Sequence, residues 1–119
     1  AEAALAQNVF SERRLILEQA RLEQGIEAQV RNALQALETA RQRITAAEAS
    51  TRAAKEKLAS EIRLFQSGES TNFLVLTRQN EYADSRRREV VAHLDFNKAV
   101  ARLRQALGTT LEAHRIRVR

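Results

Sequence analysis

Gln66-Ser67-Gly68-Glu69-Ser70-Thr71-Asn72 is the stretch that divides the chain. On either side the sequence is free of proline and rich in alanine, as long helices are. Glycine adopts the left-handed conformation that ends a helix without a Cβ penalty. The hydroxyl and amide residues after Gly68 are N-cap types that start the next helix. The chain therefore reads as a helical hairpin, with a helix over about 2–66, a tip turn over 67–71, a second helix over about 72–107 and a tail over 108–119. All 119 residues fit one domain.

The composition supports arms rather than a globule. Apolar residues make up 44% of the chain, but alanine dominates them and aromatics are only 4%, so large core-filling side chains are scarce. Charged residues at 29% complete the signature of long helices with a narrow apolar seam. In the first arm that seam is Val30, Ala33, Leu37, Ala40, Ile44, Ala47, Thr51, Ala54 and Leu58. The steps alternate three and four, the spacing of a left-handed coiled coil. Alanine at alternate positions lets a neighbouring helix approach closely. After Leu58 the row slips to Ile62 and Phe65.

Upstream, Leu5, Val9, Ile16, Ile26 and Val30 share a broad face, and Leu15, Leu17 and Leu22 spread apolar area around the helix. Gly25 reads as a tolerated weak point, a bend or a close helix crossing. The second arm carries two stripes. Leu76, Ala83, Val90, Leu94 and Ala101 lie on one, and Tyr82, Phe96, Val100, Leu103 and Leu107 on the other. Two stripes call for two sets of neighbours. Gly108 is expected to stop the helix as a C′ residue, with Thr109 and Glu112 at capping-box spacing beyond it. The alternating Arg115-Ile116-Arg117-Val118-Arg119 would suit a strand in a longer chain, and otherwise a frayed end.

The arms are unequal. At 1.5 Å per residue the first spans on the order of 100 Å and the second about half that. Folding back from the tip places Leu107 near Val30 or Arg31. The Leu and Ile residues before that level must be covered from outside the hairpin, so self-association is expected.

Several function classes find little support. The net charge of +5 permits contact with nucleic acid. However, the consecutive Arg86, Arg87 and Arg88 point about 100° apart, and only Tyr82 is near for stacking. No nucleic-acid partner is expected. The chain has no cysteine for disulfides or thiolate metal sites. His93 and His114 are far apart and form no metal-ligand spacing. His93 with Glu89 four residues earlier reads as a surface pair, and Glu81 with Asp84 as helix-surface carboxylates. There is no phosphate-cradling loop and no nucleophile–base set, so neither an enzyme nor a cofactor is expected. No apolar run reaches the roughly 20 residues of a membrane-spanning helix. With no signal peptide and Ala1 at its start, the chain reads as a mature product or an excised piece.

The string Leu58…Arg63-Leu64-Phe65-Gln66-Ser67-Gly68-Glu69-Ser70-Thr71-Asn72-Phe73-Leu74-Val75-Leu76 resembles the periplasmic turn of TolC-like outer membrane efflux proteins. In that family an aromatic, a small residue, Gly and a Ser or Thr precede an apolar Val-Leu pair. The later string Leu94-Asp95-Phe96-Asn97-Lys98-Ala99-Val100-Ala101-Arg102-Leu103…Ala106-Leu107-Gly108 is similar to the family's D-Y-x-x-A-x-x-x-L-x-x-A-L-G ending. The resemblance covers residues 55–108 well and the rest loosely. It implies an all-α, long antiparallel two-helix coiled-coil hairpin with unequal arms, the second such hairpin of a protomer. Three protomers of that family form a tunnel, an α-barrel in the periplasm continued by outer-membrane strands. The resemblance further implies a passive export conduit docked at its tip on a periplasmic adaptor, and through the adaptor on an inner-membrane pump. Carried over by position, the adaptor contact is Ser67, Gly68, Glu69, Ser70, Thr71 and Asn72. Gly68 would permit the tight turn, and Ser70, Thr71 and Asn72 would cap the second helix. Some relatives place gating acids just after the turn. Leu74 and Thr77 stand there instead, so an ionic gate is not carried over.

Two other readings stay open. One is the coiled-coil hairpin of the adaptor itself, although the lipoyl-like strands that flank such hairpins are missing. The other is an unrelated coiled-coil spacer or assembly module.

Overall fold

The computed structural model describes residues 1–113. They form two helices joined as a hairpin, α1 over Glu2–Gln66 and α2 over Asn72–Ala113. The arms are unequal, at 65 and 42 residues, and no strand occurs among the described residues.

The expected stop at Gly108 is not made. α2 continues through it to Ala113. Thr109 Oγ1 donates to Gln105 O at 3.1 Å and Thr110 Oγ1 to Ala106 O at 3.0 Å, so both hydroxyls bond back into the preceding turn instead of capping a new helix. One glycine costs a helix interior only about 1 kcal/mol, which the packing of neighbouring apolar residues readily outweighs. The strand or frayed end expected at Arg115–Arg119, and His114 with it, lie outside the described residues.

The described residues divide into two compact units, one formed by Ala36–Ala101 and the other by Ala1–Gln35 with α2 from Arg102 onward. In the Ala36–Ala101 unit the arms run antiparallel. Glu61 meets Arg78, Thr51 meets Ser85 and Glu48 meets His93, so numbers fall on α1 as they rise on α2. The expected α1 seam is covered from Leu37 to Leu58, with Ala40 and Ala54 buried. The facing row of α2 is Val75, Arg78, Tyr82, Ser85, Glu89, Ala92, Phe96 and Ala99, again in alternating steps of three and four and all covered wholly or in part. Its deepest members below the tip are small: Ser85, Ala92 and Ala99 are 5–7% exposed. Small side chains at heptad spacing on both helices bring the backbones together. Thr51 Oγ1 is close enough to donate both to Ala47 O of its own helix at 3.0 Å and to Ser85 O across the seam at 3.2 Å.

The packed face of α2 thus carries Tyr82 and Phe96, while Leu76, Val90 and Leu94 of the other stripe are each more than half exposed. Phe65, expected in the α1 seam, is 46% exposed, because the heptad continues by three from Leu58 onto Glu61. Ile62 beside it is half-buried.

In the other unit Ile26 is buried, and Val30, Ala33, Leu103 and Ala106 are half-buried. Leu107 shares a groove with Val30, Arg31 and Leu34, the level expected from the fold-back. Further along α1, Leu5, Phe10, Leu15, Ile16, Leu17 and Leu22 are all at least 62% exposed. Gly25 lies within the continuous helix, and nothing beyond the helix's own adjoining backbone stands within 4 Å of where its Cβ would be, so no close helix crossing occurs there among the described residues.

Candidate functional site at the hairpin tip

α1 ends in a motif that needs its glycine. Gly68 has φ 78°, the left-handed region. The Gly68 amide donates to Phe65 O at 3.1 Å, and the Glu69 amide donates to Leu64 O at 2.8 Å. These two bonds are the pattern of a Schellman cap, with Gly68 at C′, and they satisfy carbonyls that the helix end leaves without partners. Ser67 Oγ adds to this by donating to Arg63 O and Leu64 O at 3.2 and 3.1 Å.

α2 starts on Thr71. Its Oγ1 accepts from the Leu74 amide at 3.2 Å, and its carbonyl accepts the first helical bond, from the Val75 amide, also at 3.2 Å. This is an N-cap, and one half of a capping box. Leu74 occupies the position whose acid would supply the other half. The expectation that Ser70 and Asn72 share the capping is corrected. Asn72 is the first helical residue, and the Ser70 hydroxyl instead donates to Glu61 Oε2 at 3.0 Å.

Glu61 is the tip residue that the sequence reading missed. It is buried, receives the Ser70 hydrogen bond and lies 3.5 Å from Arg78 Nε. A carboxylate taken out of water needs such partners. Arg78 also reaches Glu81, with Nη1 3.1 Å from each carboxylate oxygen. Hydrogen bonding to Glu81, then the charges of Glu81 and Glu61, push its guanidinium further above its usual range. The available signal was that two seam positions, counted strictly by heptads, fall on the opposite charges Glu61 and Arg78.

The residues expected to face a partner are brought together and left accessible. Ser67, Gly68, Glu69, Thr71 and Asn72 are exposed, and Ser70 is half-buried. Large apolar residues flank them: Leu64 is 41%, Phe65 46% and Phe73 75% exposed. No described helix is long and apolar enough to cross a membrane.

Away from the tip, the charges take up ordinary helix-surface roles. Asp84 pairs with Arg87 at 3.2 Å, and Arg86 lies over the Tyr82 ring at 5.8 Å. His93, which reads as a surface pair with Glu89, is joined there by Glu48 from α1. No family model, curated protein or solved structure matches the chain.

Proposed function

We propose that the chain is a tunnel-wall hairpin of a TolC-like outer membrane efflux protein. In this reading it is a passive export conduit with no catalytic step, and its tip docks a periplasmic adaptor that links it to an inner-membrane pump. The observation that carries the reading is the off-centre tip, where a Gly68 turn and the Thr71 cap are flanked by exposed Leu64, Phe65 and Phe73. The resemblance of the strings around Gly68 and Gly108 to that family supports it. So do the uncovered Leu76, Val90 and Leu94, which offer α2 a second neighbour, as a wall of repeated hairpins requires. The working assembly would be the parent trimer, in the periplasmic portion of an outer-membrane protein.

The test is site-directed cross-linking in the intact protein. Cysteine at Glu69 should cross-link to the adaptor's hairpin, and Gly68→Arg should reduce both cross-linking and efflux while helix content stays unchanged. Absence of the cross-link together with unchanged efflux in Gly68→Arg overturns the proposal.

A further inference from the structure

Glu48 on α1 and Glu89 and His93 on α2 each bring a ligand atom to within 4.8 Å of the other two. Glu89 and His93 are four residues apart and so share one helix face. Glu48 reaches them from the opposite arm. His93 Nε2 stands 3.8 Å from Glu48 Oε1, too far for a hydrogen bond. Zinc binds imidazole nitrogen at about 2.0–2.1 Å and carboxylate oxygen at about 2.0–2.2 Å, which puts tetrahedral ligand atoms about 3.4 Å apart. The Glu48–His93 pair is looser than that by about 0.4 Å, and no pair of the three by more than about 1.4 Å, within reach of small side-chain rotations. The His93 and Glu48 side chains are half exposed and free to make them. The backbone beneath is already fixed, because Thr51 and Ser85, one turn from Glu48 and Glu89, are joined by the hydrogen bond across the seam. Arg86, the cation one turn before Glu89, lies over Tyr82.

We propose that Glu48, Glu89 and His93 form a site for one divalent transition cation, with one nitrogen and two oxygen donors and the fourth position left to water. This donor set suits zinc and its first-row neighbours. Because the ligands come from both arms, the bound ion clamps α1 to α2. The proposal is independent of any role at the tip.

Zinc chloride titrated into the full chain, followed by calorimetry, tests it. One ion should bind per chain and the unfolding midpoint should rise. With free zinc at 100 times the dissociation constant, the folding equilibrium shifts by about a hundredfold. His93→Ala and Glu48→Gln should each weaken binding by about tenfold or more, since loss of even an outer-shell partner costs that much. His114→Ala should leave binding unchanged. In the unsubstituted chain, zinc should shift the ring resonances of His93 and not those of His114. Absence of saturable binding, binding unaffected by His93→Ala, or a shift confined to His114 overturns the proposal.

Discussion

Glu61 and Arg78 face each other across the hairpin at 3.5 Å, each at a heptad position that a coiled coil would normally fill with an apolar side chain. Glu61 is buried and Arg78 is partly covered. The pair lies near the tip, where Ser70 adds its own hydrogen bond to the same carboxylate. It fastens turn and arms together.

Glu61→Ala should therefore lower the unfolding temperature and leave Arg78 held by Glu81 alone. A double-mutant cycle with Arg78→Ala, read by thermal unfolding, should show coupling that persists at high salt. The exposed Glu38–Arg41 pair, at 2.7 Å, should lose its coupling under the same conditions, because salt screens surface charges far more than buried ones. Equal salt sensitivity of the two pairs would contradict the burial of Glu61.

Glycines 68 and 108 should respond in opposite directions. Gly108 is inside α2 with open space around its would-be Cβ, so Gly108→Ala should stabilise by about 1 kcal/mol. Gly68 has φ 78°, so Gly68→Ala should destabilise by about 1–2 kcal/mol, and Gly68→Asn by less. Chemical denaturation of the three variants measures both signs.

The uncovered apolar residues predict self-association. Leu15 and Ile16 are 64% and 66% exposed, and burying one such side chain contributes about 1.5–3 kcal/mol. Sedimentation should show concentration-dependent oligomers, and Leu15→Ser with Ile16→Ser should shift them towards monomer. A folded monomer at every concentration would count against it.

Glu38 supplies a pH test. The Arg41 hydrogen bonds hold its carboxyl below the usual carboxylate range. A group whose folded value is depressed contributes stability above its unfolded value and loses it as pH falls through the folded one. An NMR titration should place the Glu38 midpoint below that of an ordinary glutamate, and Arg41→Ala should raise it.

The legible part of the fold was the part set by local chemistry. Gly68 and Thr71 specify their helix ends by backbone geometry and a single hydroxyl, so the tip could be read from its residues. The α1 seam was legible because its apolar row has a single phase. α2 was not, since its outward Leu76, Val90 and Leu94 are more apolar than its packed Arg78, Ser85 and Glu89. Hydrophobicity alone does not say which stripe the partner arm will cover. Glu61 and Glu48 escaped for a related reason. Each takes its meaning from a residue on the other helix, and spacing within one helix carries no record of it. Gly108 was misread because a glycine permits a stop without imposing one.

The contact between Glu61 and Arg78 has a consequence for how the arms are aligned. A seam repeating every seven residues is nearly indifferent to sliding, since a shift of one heptad again sets small residues against small ones. The Thr51 hydroxyl does not remove that degeneracy, because it donates to the main-chain carbonyl of Ser85, a group that every residue carries. The charged pair does. Slide α2 by seven residues towards lower numbers opposite α1, and Glu61 meets Thr71; slide it the other way, and Glu61 meets Ser85 while Arg78 is left without its carboxylate. Glu61–Arg78 thus acts as the mark on a ruler, and it fixes how many residues are left to make the bend.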